Sequence, residues 1–373
     1  MKVNLHPKDG LLFNSFLLIF IIHKTQTGVG IVGLPRIVYL VAKHDAWISV
    51  LFAGLGTGVV LWLMILMLKQ YDCADLYGIH VDIFGKYIGN MLNIIYMLYM
   101  SASFFVILMN YIEIVQVWIF PDLRTWVISL VLILLVVYAV LGGIRVIVGI
   151  TFLSFVGTFW LPFVLIVPIH YSDPTHLFPI FNIDIQHLVK GMYRCSLSMM
   201  GFELLMFFYP YVKEKKKVLL FAQIGNLYTT ILFTVTTIVA ITFFAETSLA
   251  RTTWPILSMF KIVRFPNLER FEFIAVSFWM LIVLPNMCAY LWAASKGFSR
   301  VMNRKQKKGI WIIALFVWGG TFFFNARYQM NEMTDVIAKA GFLAAFCYPV
   351  LLSIIVLVKK WITRRKQASA QIS

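Results

Sequence analysis

The stretch Thr25-Gln26-Thr27-Gly28-Val29-Gly30-Ile31-Val32-Gly33-Leu34-Pro35 interrupts an apolar segment that runs from Gly10 to Ala42. The segment is longer than the ~20 residues a helix needs to cross a bilayer. Its centre nevertheless carries three glycines, two threonines, a glutamine and a proline. Glycine lacks a Cβ and proline lacks a backbone donor, so the helix is expected to open here. Open main chain at membrane depth is tolerated only where protein buries it or where it lines a polar cavity. Helices broken near the bilayer midplane are how many secondary transporters build a substrate site. The competing reading is a glycine-rich face that lets two intact helices pack closely.

Composition sets the frame around this stretch. The chain has 373 residues, of which 61% are hydrophobic and 13% charged, against ~25% charged in a soluble domain. Its mean hydropathy is +0.86. These values define an all-α, polytopic membrane protein that contacts the lipid bilayer. No short apolar core with a small-residue cleavage site precedes the first span, so no cleavable signal peptide is expected. The formal charge of +16 does not point to nucleic acid, because the basic residues sit in short loops between apolar spans and act as a topology signal. Cys73, Cys195, Cys288 and Cys347 are far apart and form no CxxC or Cys/His ligand spacing. Neither a disulfide framework nor a metal site is expected, and no cofactor. There is no HExxH, GxSxG or phosphate loop and no carboxylate pair at a common depth, so no enzyme is expected.

Hydropathy divides the chain into about ten spans. They cover roughly residues 10–42, 46–69, 86–118, 125–142, 146–170, 184–212, 217–245, 270–297, 309–327 and 336–358. With both termini in the cytoplasm, Lys and Arg favour the inner side by roughly two to one. The expected organisation is one polytopic domain over 1–358 and a basic cytoplasmic tail over 359–373. Of two longer outer loops, residues 171–183 read as an irregular turn. Residues 246–269 carry an amphipathic stretch that either anchors at the interface or folds over a vestibule.

Five spans per half is an odd number, so a duplication would make the second half (about 184–358) an inverted copy of the first (about 10–170). The sixth span should then mirror the first. It does carry small, polar and acidic residues at its middle, in Ser196-Leu197-Ser198-Met199-Met200-Gly201-Phe202-Glu203. Two interruptions in corresponding positions point to a site better than either alone.

Gly28-Val29-Gly30-Ile31 followed by Pro35 resembles the GxGIxxxP pattern of the amino acid–polyamine–organocation superfamily. Gly201-Phe202-Glu203, then Pro210 and the Lys213–Lys217 run, is similar to that superfamily's sixth helix and following loop. More narrowly, almost the whole chain resembles the B subunit of spore-germination nutrient receptors, the spore germination permease family. The features are Gly33-Leu34-Pro35-Arg36, Gly142-Gly143, Gly201-Phe202-Glu203, the Lys-rich loop, Trp254-Pro255-Ile256-Leu257-Ser258-Met259-Phe260 and Glu269-Arg270-Phe271-Glu272. The resemblance implies a ten-helix, 5+5 inverted-repeat (LeuT-like) fold with helices 1 and 6 broken. It implies an inner spore membrane location and assembly with an A subunit and a lipoprotein C subunit. It also implies recognition of a small germinant, an amino acid or sugar. A proton-coupled amino acid transporter working alone is the alternative.

The two breaks define the candidate substrate residues. Backbone N–H groups of Gly28, Val29, Gly30 and Ile31, with the Thr27 hydroxyl, would receive a carboxylate. Carbonyls freed between Ser198 and Gly201 would accept from an ammonium or sugar hydroxyl. Met200 would form an apolar wall or pack ordinarily. At matching depth the third span offers Ser101 and the eighth Asn286, after Pro285, to bond substrate or to satisfy loosened backbone. Glu203 is either a proton or ammonium partner or, slightly preferred, a cap for the next half-helix. Charges inside spans are costly. Lys24 either puts its ammonium where sodium-coupled relatives hold a cation or snorkels into a vestibule. Arg194 is a counter-charge candidate with no evident partner, and Glu113 reads as an outer-interface residue.

Overall fold

The computed structural model describes residues 3–264, 270–324 and 327–370. Glu269 of the Glu269–Glu272 motif lies outside the described residues. Among them the chain is helical, with two isolated β-bridges and no longer strand. In chain order the helices are α1 (Leu18–Gln26), α2 (Leu34–Ala42), α3 (Ala46–Leu68), α4 (Leu76–Trp118), α5 (Thr125–Leu141) and α6 (Ile144–Thr158). Then come α7 (Ile166–His170), α8 (Ile185–Ser198), α9 (Leu205–Phe208), α10 (Val218–Phe243), α11 (Glu246–Arg251) and α12 (Pro255–Phe260). The last are α13 (Phe271–Met302), α14 (Gln306–Gly320), α15 (Arg327–Phe342) and α16 (Tyr348–Ala370).

Among the described residues, 6 helical stretches are long and apolar enough to cross a bilayer: Leu34–Leu68, Leu76–Trp118, Ile144–His170, Lys215–Phe243, Phe271–Met302 and Tyr328–Thr363. Two shorter apolar helices, Ser15–Gln26 and Thr125–Leu141, accompany them. The chain is thus a multi-pass membrane protein. The first and sixth hydropathy segments fall below the length limit because each is interrupted. α4 is longer than the hydropathy span of 86–118, because a helix begins at Leu76 and bends at Gly85. The residues before the bend fold back on those after it, with His80 Nδ1 2.7 Å from Asn93 Oδ1.

The centre of the bundle is α13, packed along α4 and flanked by α5, α6 and α14. α1 lies against α10 and α6. Close approach of α3 to α10 depends on a small residue, since any side chain at Gly54 would collide with Thr230. Near the loop ends, buried charges are paired. Arg300 bonds Asp75, whose Oδ1 also accepts from the Gly78 N–H at 2.9 Å. Asp45 holds the 171–183 loop by accepting from the N–H groups of Phe181, Asn182 and Ile183 at 2.9, 2.9 and 3.1 Å. The amphipathic stretch folds over the bundle: Ile256, Leu257, Met259 and Phe260 of α12 are buried against α13 and the residues after the first break.

Candidate functional site

Both expected interruptions are present. α1 ends at Gln26, and Thr27 and Gly28 are extended. One 3-10 turn over Val29–Val32 then leads to α2, with Pro35 in its first turn, where a missing N–H costs nothing. α8 ends at Ser198, and Met199–Gly201 form a turn before a 3-10 turn at Phe202–Leu204 and α9. Gly201 has φ 118°, a region that L side chains rarely adopt, and a Cβ there would strike the Thr25 carbonyl. The two breaks touch again at Gly30, where a Cβ would lie 3.2 Å from Ser198 Oγ. Glycine at these two positions is what lets the interrupted helices meet main chain to main chain.

A cavity of about 300 Å³ lies between the breaks, α4, α13 and α15. Of the residues expected at the site, Gly28, Val29, Gly30, Ser198, Met200 and Asn286 line it. Met200 also packs against Gly341 of α15. Five expected residues do not line it. Thr27 and Ile31 face a smaller cavity, about 50 Å³, on the other side of the break. Thr27 Oγ1 is 3.3 Å from His23 Nδ1. Ser101 is turned away and donates to the Met97 carbonyl of its own helix at 2.8 Å. Gly201 serves the turn.

Glu203 sits behind the cavity wall with no solvent exposure. Its Oε1 accepts from the hydroxyls of Tyr99 and Tyr290, both at 2.9 Å, and its Oε2 from the Gly201 N–H at 2.7 Å. Gly201 is the N-cap residue of the turn at Phe202–Leu204, so the carboxylate meets an N–H at the start of the next half-helix, as a cap does. It ties the second break to α4 and α13. Asn286 ties the first break in the same manner: its Nδ2 donates to the carbonyls of Lys24 at 2.9 Å and Thr27 at 3.3 Å. These are carbonyls that an opened helix leaves unpaired. Lys24 is buried and donates to Thr158 Oγ1 of α6 at 2.5 Å, beside the smaller cavity, rather than snorkelling to a surface.

The cavity is also lined by residues the sequence reading did not propose for it: Gln26, Tyr99, Ser103, Tyr290, Asn110 and Asp335. Arg194, seen only as a lone counter-charge candidate, lines it too. Helical spacing could have found three of them. Residues four apart share a helix face. Tyr99 and Ser103 are such a pair, and Ser101, between them, points elsewhere. Tyr290 is four residues after Asn286.

An all-helical LeuT-like fold, with two interrupted helices meeting at one polar-walled cavity, defines a broken-helix membrane protein. A structure of MhsT in complex with L-phenylalanine shares this fold. Its TM-score is 0.64 at 14% identity, covering 92% of this chain and 88% of that one. The chain belongs to the spore germination protein family Spore_permease, whose model matches residues 13–333. It is 37% identical to spore germination protein GerQB of Bacillus cereus, over 91% of this chain and 94% of that protein. Spore germination protein A2 of Bacillus subtilis is 24% identical, over 95% of this chain and 98% of its own length. Spore germination protein B2 of the same organism is 21% identical, over 93% and 95%.

Proposed function

We propose that this chain is the B-type subunit of a spore germinant receptor and binds a small nutrient in the cavity between the two breaks. The observation that carries the reading is the meeting of Gly28–Gly30 with Ser198–Met200 around that cavity, in a chain of the spore germination family. Nutrient binding would favour the arrangement of the breaks that fits it, and partner subunits would read the shift. Such a shift requires different affinities for the two arrangements. The reading includes assembly with A and C subunits in the inner spore membrane, with both termini on the core side. It also includes ten spans in two inverted halves within a single domain, and a basic tail from residue 359.

The test is thermal unfolding of the purified chain against a panel of amino acids and sugars. A ligand of the native state raises stability with the logarithm of its concentration. Gly30→Val should abolish the response while leaving membrane insertion intact. The alternative, a proton-coupled amino acid transporter, draws on the buried Lys24 and Glu203 beside the breaks. Uptake into proteoliposomes holding this chain alone, driven by a proton gradient, would favour it. Binding without accumulation favours the receptor.

A further inference from the structure

The first described residues run along the link between α3 and α4. Asn4 and Ala74 form an antiparallel bridge, and the Leu5 N–H donates to the Cys73 carbonyl at 3.0 Å. The Cys73 N–H in turn donates to Asn4 Oδ1 at 3.4 Å. Val3 lies so close to Gly78 that any Cβ there would strike the Val3 carbonyl. Main-chain pairing thus sets where His6 stands, far as it is from this link in the chain. Its Nδ1 is 3.9 Å from Asp72 Oδ2. A ring nitrogen of His6, a carboxylate oxygen of Asp72 and Cys73 Sγ all lie within 4.8 Å of one another. The His6 and Asp72 side chains are 67% and 72% exposed, and Cys73 is a half-buried free thiol. An exposed His–carboxylate contact by itself is worth little. Here a thiol joins it, and a cation is already seated at the same corner. The Lys215 ammonium donates to Cys73 Sγ and to the Asp72 carbonyl.

We propose that His6, Asp72 and Cys73 form a binding site for a transition-metal dication of zinc's class, with water completing its shell. Zinc bonds of ~2.0–2.3 Å place the ligand atoms of a tetrahedral site ~3.3–3.8 Å apart. The three ligand atoms here are slightly wider than that, and turning the exposed His6 and Asp72 side chains closes them on an ion. An imidazole nitrogen, a carboxylate oxygen and a thiolate suit zinc, whereas Mg²⁺ and Ca²⁺ call for oxygens throughout. The carboxylate and the thiolate bring two negative charges, which match the ion. Metal takes the place of the Lys215 ammonium, which leaves on its long side chain. The ion clasps the chain's first residues to the α3–α4 link and releases Lys215, part of the lysine run that follows the second break. The site is separate from the cavity between the breaks and does not depend on what binds there.

The test uses the full chain without an affinity tag, freshly reduced, in lipid nanodiscs. Calorimetry follows Zn²⁺ and Mg²⁺, and absorption follows Co²⁺ as a spectroscopic stand-in for zinc. Zn²⁺ should bind in a single stoichiometric step and Mg²⁺ should not. Co²⁺ should give a thiolate-to-metal charge-transfer band. His6→Ala, Asp72→Asn and Cys73→Ser should each weaken Zn²⁺ by roughly tenfold or more, since even groups that only support a ligand cost 10–100-fold. Cys73→Ser should also abolish the cobalt band. Lys215→Ala removes the competing cation and should bind Zn²⁺ more tightly than the unaltered chain, a gain that damage to the fold does not produce. The unfolding temperature without metal checks that each variant is folded. Zn²⁺ binding no tighter than Mg²⁺ overturns the site. So does a cobalt band that survives Cys73→Ser, which would assign the metal to another thiol. Zinc affinity unchanged in both His6→Ala and Asp72→Asn overturns it as well.

Discussion

Gly30→Ala is the smallest change that tests how the two breaks fit. A Cβ at residue 30 would stand 3.2 Å from Ser198 Oγ, 3.3 Å from Ser198 Cβ and 3.5 Å from Ser198 Cα. The hydroxyl can rotate away, but the Cβ and Cα belong to the last residue of α8 and move only with the helix. Relief therefore separates the breaks by a few tenths of an ångström. Overpacking of this kind costs ~1–3 kcal/mol. If that strain falls on the ligand-binding arrangement, at about 1.4 kcal/mol per decade Gly30→Ala weakens a bound nutrient by roughly 5- to 150-fold. Gly30→Val, with two more carbons, should abolish binding. Ser198→Gly removes the two nearest atoms and leaves only the Cα, at an ordinary contact distance. Alone it costs ~0.5–1 kcal/mol, as glycine in a helix does. The double variant Gly30→Ala/Ser198→Gly should therefore bind more tightly than Gly30→Ala, with a coupling of ~0.5–3 kcal/mol. Calorimetric titration of the four proteins, with apparent unfolding temperature as a folding control, measures the cycle. Wild-type affinity in Gly30→Ala, or losses that merely add in the double variant, would refute the contact.

Four further outcomes are expected. In a background without Cys73, Cys195, Cys288 and Cys347, Gly30→Cys/Ser198→Cys should cross-link on mild oxidation, because a Cβ at residue 30 lies 3.3 Å from Ser198 Cβ and disulfides span ~3.5–4.5 Å. Peptide mass spectrometry reads the bond. Gly201→Ala should lower stability by roughly 2–5 kcal/mol, the sum of a strained backbone and a collision with the Thr25 carbonyl, seen as a fall in apparent unfolding temperature. Asn286→Ala strips the Lys24 and Thr27 carbonyls of their donor and should cost ~1–3 kcal/mol per carbonyl left dry, by the same assay. Asp75→Ala removes the carboxylate partner of the buried Arg300 and should cost ~3–5 kcal/mol, whereas Asp75→Leu/Arg300→Leu should recover much of it.

The membrane class, the all-helical fold and the place of both interruptions were legible in the chain itself. Long apolar runs have one solution in lipid, and glycine, proline and polar residues at mid-span have few tolerated roles there. Gly28, Gly30 and Ser198 were readable for that reason.

What sequence could not supply is which way a side chain faces and what it meets. Ser101 looked right by depth, but the face of α4 that lines the cavity runs through Tyr99 and Ser103. Thr27 and Ile31 sit within the first break yet face its far side. Glu203 read as a cap or as a proton or ammonium partner; besides the nearby Gly201 N–H, its carboxylate binds Tyr99 and Tyr290, which lie 104 and 87 residues away in the chain. Local composition fixes where main chain opens, because that cost is paid within a few residues. The pairing of a buried carboxylate with two distant hydroxyls depends on how α4, α8 and α13 are set against one another, and only the folded bundle decides that.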